Sequence, residues 1–179
     1  MWARIPVDHT ESAYVTKRPP SVGEIEWMVF AAIGAGFKGI VWVEKAGLLG
    51  RLKSLQSSIE PFADELGTAR HVKWGKSLEG HPISMIRSER HLFVVILNTM
   101  YLAGLEEKGP PLFPIASEPT TGRVSISPPT PLAIRSGKTL DNTPITLNFE
   151  DDPVLIGYSF KNGGEMLIFE LTKMPAEKQ

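Results

Sequence analysis

Two apolar stripes with helical spacing lie in the first third of the chain, one on each side of a short apolar segment. The first stripe predicts a helix over residues 21–34, because its apolar positions recur every three or four residues. Ser21 is a suitable N-cap, and Glu24 completes a capping box with it. Gly34 and Gly36 should end the helix, since glycine accepts the left-handed conformation common at helix C-termini. The stripe consists of Ile25, Met28, Val29, Ala32 and Ile33.

The segment after this helix predicts a strand over residues 37–43 that is apolar on both faces apart from Lys38 and Gly39. Such a strand needs cover on both faces, as in a parallel sheet or barrel. A second apolar stripe predicts a helix over residues 48–66, which Pro61 should kink or restart. The first third is therefore expected to form a helix–strand–helix unit.

The pattern changes near residue 68 from helical spacing to short apolar or alternating segments separated by turn residues. Seven or eight such segments favour an antiparallel sandwich. Residues 161–164 (KNGG) indicate a hairpin between the last two strands. We therefore expect an α+β fold in which an N-terminal helix–strand–helix unit (residues 1–68) packs on a C-terminal antiparallel β-sandwich (residues 69–179). The predicted strands are 72–74, 83–87, 92–98, 124–126, 132–135, 145–149, 154–160 and 166–172.

Charge and hydropathy exclude some partners for this chain of 179 residues. The 19 basic and 20 acidic residues give a net charge of −1, so there is no cationic excess to hold a nucleic acid. No apolar run approaches the ~20 residues that span a bilayer, so we expect no membrane partner. The first 20 residues lack the pattern of a signal peptide, and the compartment stays open.

The absence of cysteine excludes disulfides, zinc-thiolate sites, iron–sulfur clusters and cysteine nucleophiles. His9, His71, His81 and His91 show no helical pairing, so we expect no metal site and assign each histidine to a turn or the surface. No serine lies in a nucleophile elbow, and no cofactor motif is present.

Residues 18–44, which include RPPSVGEIEWM and AAIGAGFKGIVWVE, resemble the last helix–strand step of a TIM-barrel glycoside hydrolase. By this resemblance, residues 48–66 are the helix after the final barrel strand. Residues 71–173 resemble the β-sandwich appended to the C-terminus of many such enzymes, with 92–98 (LFVVILN) opening its core and 145–171 closing it. The resemblance covers nearly the whole chain but includes little of a barrel.

The resemblance places Trp42 and Glu44 at the carboxyl end of a barrel strand, which is the active-site face of such barrels. Alternation puts both side chains on one side of the strand, where Trp42 could stack on a sugar ring and Glu44 could bind its hydroxyls. Alternatively, Trp42 packs under the next helix and Glu44 pairs with Lys45. We predict Trp42 and Glu44 as substrate-binding residues. We assign no catalytic residue, since the two carboxyl groups of such glycosidases usually come from earlier strands.

We therefore expect a C-terminal fragment or shortened relative of a glycoside hydrolase, without catalysis of its own, that could bind carbohydrate. Its exposed α/β unit should make it a homo-oligomer. Two alternatives stay open. A standalone structural or protein-interaction sandwich module requires the helix stripes to be buried on the chain's own sheet. A small intact glycosidase requires Glu44 within about 10 Å of another carboxylate.

Overall fold

A strand–helix–strand unit opens the described part of the chain. Strand β1 (Trp2–Pro6) and strand β2 (Gly39–Val43) pair in parallel, and helix α1 (Val22–Gly34) lies between them in sequence and packs on β1. The sequence pattern predicts α1 and β2 but not β1. The computed structural model describes residues 2–6, 22–43, 49–98, 121–127, 132–147, 153–160 and 163–173.

Three short helical pieces follow where the sequence predicts a helix over residues 48–66 that is kinked or restarted at Pro61. They are α2 (Leu49–Ile59), a 3₁₀ turn (Glu60–Phe62) and α3 (Ala63–Thr68). The break coincides with Pro61, which lacks a backbone N–H and cannot continue an α-helix. The 3₁₀ turn places Phe62 in the core, where its ring contacts Phe93 edge-on.

The rest of the described chain forms two antiparallel sheets. Five strands pair in the order β3-β4-β5-β9-β7, and β6 pairs with β8. The fold class is thus α+β with a β-sandwich, as the sequence predicts. The strands are β3 (Arg70–Lys76), β4 (Pro82–Arg87), β5 (His91–Leu97), β6 (Thr121–Ile126), β7 (Leu132–Thr139), β8 (Val154–Ser159) and β9 (Gly164–Lys173).

The five-stranded sheet is covered on both faces, because its side chains alternate between two cores. On β5, Leu92, Val94 and Ile96 face the β6–β8 sheet, whereas Phe93 and Val95 face the helices. The helix-side core is shared by the strand–helix–strand unit and the sheet. It includes Ile5, Ile25, Val29, Phe30, Ile33, Leu55, Phe62, Phe93, Val95, Met166 and Ile168. The division at residues 68 and 69 stays a prediction.

The expected hairpin at residues 161–164 is wrong, since β8 pairs with β6 and β9 pairs with β5 and β7. The glycines instead allow the chain to pass close to neighbouring backbone. A Cβ on Gly163 would collide with the carbonyl oxygen of Gly23 and lie 2.6 Å from the amide nitrogen of Trp27. The chain therefore passes against the start of α1 while it crosses from one sheet to the other.

The strand expected over residues 145–149 is not formed as such. Instead, the chain turns back after β7 and makes a short contact with it. Lys138 forms an isolated bridge with Pro144, and the amide of Ile145 donates to the carbonyl of Gly137 at 2.8 Å. Pro144 has no N–H to extend a ladder. Residues 148 and 149 lie outside the described residues.

Candidate functional site

The carboxyl ends of β1 and β2 lie side by side, which is where the sequence places its candidate site. Ile5 is paired with Trp42, and Pro6 with Val43. Trp42 is thus the last residue but one of β2, but its side chain and the whole of Glu44 lie outside the described residues. Their role in substrate binding stays a prediction.

The two faces of the β1–β2 pair differ sharply. Ile5 is buried in one core with the α1 residues Ile25 and Val29. Trp2 is 69% exposed and Val41 is 46% exposed. Parallel sheets are usually covered on both faces. Within the described ranges, the pair therefore has one covered face and one face on which Trp2 and Val41 are exposed, which we call the open face.

Trp2 packs against Gly39 on the open face. They are opposite each other in the parallel register, and a Cβ on Gly39 would collide with the Trp2 indole ring. The ring therefore packs against the strand at the glycine. This covers part of the β2 backbone and leaves the outer side of the indole to solvent.

Two polar contacts add to the shared core in holding the strand–helix–strand unit on the sandwich. The hydroxyl of Ser84 on β4 donates to the carbonyl of Gly34 at the end of α1, at 2.7 Å. The ammonium of Lys38 donates to the carbonyl of Ala69, just before β3. The unit is thereby fixed to the edge of the sheet at the C-terminus of α1 and the start of β2.

A charged cluster lies where α3 meets the sheet. The Glu65 carboxylate accepts hydrogen bonds from Ser88 at 2.6 Å, from Nδ1 of His91 at 2.8 Å and from Arg90 at 2.8 Å. Burial acts to raise the pKa of Glu65. The hydrogen bonds from Ser88 and His91 and the charges of His91 and Arg90 outweigh that effect, so the pKa lies below its ordinary value of 4.5. Glu65 is therefore an ionised anchor that orients the His91 ring.

A cavity of about 380 Å³ adjoins this cluster. Two rows of side chains on the helix side of the sheet form its floor. His91, Glu170 and Ser136 are opposite one another across β5, β9 and β7, and Ile168 and Lys138 are opposite in the next row. The loop after β7 contributes Asn142 and Pro144. We call this space the β7 cavity; it is lined by His91, Ser136, Gly137, Lys138, Asn142, Pro144, Ile168 and Glu170.

A second polar cluster is buried at the other end of the sandwich. Nδ1 of His81 lies 2.5 Å from the Tyr158 hydroxyl, and the His81 amide donates to the Ser77 hydroxyl at 3.1 Å. The sequence assigns His81 to a turn or the surface. A surface position is wrong, since His81 is 5% exposed and packs on the Phe160 ring. Burial lowers the pKa of His81 and raises that of Tyr158. Both side chains are therefore neutral at neutral pH, and they contact each other within the core.

The described residues show neither a grouped metal-ligand set nor a helix long and apolar enough to cross a membrane. Sequence reasoning missed the β7 cavity because its residues come from three strands that are distant in the chain. Only the sheet register brings His91, Glu170 and Ser136 into one row. The alternation of polar residues on β7 was the one available signal.

No protein-family model and no curated protein matches the sequence. Solved structures do match the fold. A protein proposed to be an alpha-galactosidase from Bacteroides fragilis NCTC 9343 superimposes with a TM-score of 0.52 and 10% identity, over 92% of this chain and 32% of that one. The chain is similar in fold to part of a glycoside hydrolase.

A second structure has a similar match. Thermotoga maritima alpha-fucosidase in complex with fucose gives a TM-score of 0.50 with 11% identity, over 94% of this chain and 39% of that one. The chain thus spans well under half the length of either enzyme. At these identities the similarity concerns the fold alone.

Proposed function

We propose that this chain is the C-terminal region of a glycoside hydrolase, or a shortened relative of one. In this proposal β1, α1 and β2 are the last part of a barrel, and the sandwich supports them. The observation that carries it is the open face. A parallel pair with a crossover helix on one face and exposed Trp2 and Val41 on the other supports the proposal, because such pairs usually belong to a larger parallel sheet or barrel.

The proposed role in sugar binding rests on the geometry of barrels. Their ligands bind at the carboxyl ends of the strands. Pro6 and Val43 end two adjacent strands here, and the proposal assigns Trp42 and the following Glu44 to that rim. Trp42 would stack on a sugar ring, and Glu44 would accept hydrogen bonds from its hydroxyls. The chain would have no catalysis of its own, since a glycosidase needs a pair of carboxyl groups about the scissile bond.

A glycan array on the purified chain tests this proposal. We expect weak binding to a subset of glycans, most of which Trp42→Ala abolishes and Glu44→Gln reduces. Trp74→Ala is the matched control, because Trp74 is an exposed tryptophan on the edge strand β3 and should bind as the wild type does. An array without binding, or equal binding by Trp42→Ala and the wild type, would overturn the proposal.

One observation favours the alternative of a standalone module. Ile25, Val29 and Ile33 on α1 are buried against Phe93 and Val95 of the chain's own sheet. This is the burial that a self-contained module requires of its first helix. The two proposals differ at the open face, which a self-contained module must tolerate in solvent and a barrel piece must cover.

A further inference from the structure

The β7 cavity holds one cation that is not matched by a carboxylate among the described contacts. Lys138 donates to the side-chain oxygen of Asn142 at 2.7 Å, and its ammonium lies 5.3 Å from the centre of the Phe62 ring. Both contacts position the ammonium and neither neutralises it. An amide oxygen and a ring face leave a full positive charge at the cavity wall.

The carboxylates at the cavity already have arginine partners. Glu170 accepts from Arg135 at 3.3 Å and from the Ser136 hydroxyl at 3.0 Å. Glu65, behind His91, is paired with Arg90. Among the described lining residues, Lys138 is therefore the charged group without a counter-ion of its own.

His91 adds a second group beside Lys138. Its Nδ1 is held by Glu65, so Nε2 is the ring nitrogen that is left for a ligand. The Phe62 ring packs edge-on against the His91 ring, with centroids 5.7 Å apart, and also lies under the Lys138 ammonium. Both ligand-facing groups are thus fixed by contacts behind them, which reduces the entropy lost on binding.

We propose that the β7 cavity binds a small carboxylate that also carries hydroxyl groups, such as a sugar acid. The carboxylate would pair with Lys138 and hydrogen-bond His91. The hydroxyls would bind Glu170 and Ser136, a neighbouring acceptor and hydroxyl, with Pro144 and Ile168 against the carbon skeleton. A cavity of about 380 Å³ lies within the usual range for small-molecule sites, about 300–1,000 Å³. This proposal rests on residues other than Trp42 and Glu44.

Amide NMR titration of the whole chain with sodium glucuronate, glucose, sodium acetate and inorganic phosphate tests the proposal. Glucuronate should shift the amide signals of residues 136–142. It should bind about tenfold or more tightly than glucose, because its carboxylate accepts a charge-assisted hydrogen bond from Lys138 that glucose cannot accept. It should also bind more tightly than acetate or phosphate, which lack the hydroxyl-bearing carbon chain. Trp42→Ala should leave this binding unchanged, so the two sites can fail separately.

Two variants locate the binding. Lys138→Gln should remove the preference for glucuronate over glucose. Asn142→Gly should weaken glucuronate binding while keeping the positive φ of 66° that Asn142 adopts. Lys173→Gln, on an exposed lysine at the end of β9, should behave as the wild type. The proposal fails if glucuronate shifts no amide signals, or if glucose, acetate or phosphate binds as tightly as glucuronate. It also fails if Lys138→Gln binds glucuronate with the affinity of the wild type.

Discussion

The hydroxyl of Ser84 donates a 2.7 Å hydrogen bond to the carbonyl oxygen of Gly34, and both residues are buried. Gly34 is the last residue of α1, where helix carbonyls lose their intrahelical partners. Ser84 lies on β4 and is one of few buried polar side chains in the described sheet. A side chain of the sandwich thus satisfies the last carbonyl of α1.

Ser84→Ala should therefore lower the free energy of unfolding by about 1–3 kcal/mol, because it leaves a buried carbonyl unsatisfied. Urea unfolding followed by circular dichroism measures this. Ser125→Ala, at an exposed serine on β6, should change stability by less than about 0.5 kcal/mol. Equal effects of the two variants would show that the contact with Gly34 contributes nothing.

Gly163→Ala should destabilise the protein by about 1–3 kcal/mol or more, since the new Cβ collides with the Gly23 carbonyl at the start of α1. Thermal and urea unfolding check this, with Gly157→Ala as the control. A Cβ on Gly157 meets open space, so that variant should remain close to the wild type. A fully stable Gly163→Ala protein would contradict the close passage of the chain against α1.

The buried His81 predicts a loss of stability in mild acid. Its pKa is lowered by burial in the folded protein, so between the ordinary value of 6.5 and the folded value the unfolded chain binds more protons. The free energy of unfolding should fall as pH drops from 7 through this window. His81→Phe should flatten the profile over the same interval. A wild-type profile that is flat from about pH 7 to pH 5 would contradict a neutral, buried His81.

How far the sequence predicts this fold depends on whether the signal is local. Helix α1 and strand β2 are predicted nearly to their ends because capping residues, an apolar stripe and a glycine stop lie within a short window. The 3₁₀ turn at Glu60–Phe62 follows from Pro61 in the same way. Each of these features is determined by neighbours in sequence.

Three of the failures involve partners distant in the chain. β1 has five residues and becomes a strand by pairing with β2, so its own sequence shows no period. Gly163 suggests a hairpin in sequence but serves contact with Gly23, about 140 residues away. His81 is buried by Tyr158 and Phe160, also far along the chain. For Trp42 and Glu44, both the rim position and the sugar contact stay predictions.

We expect the open face of β1 and β2 to be covered by another protein surface. Light scattering coupled to size-exclusion chromatography measures this on the purified chain, where a second copy is the available cover. We predict concentration-dependent association that Val41→Lys abolishes, whereas Val72→Lys retains it. Val72 is a matched control because it is 48% exposed on edge strand β3, against 46% for Val41. A wild-type chain that stays monomeric at every concentration would contradict the claim.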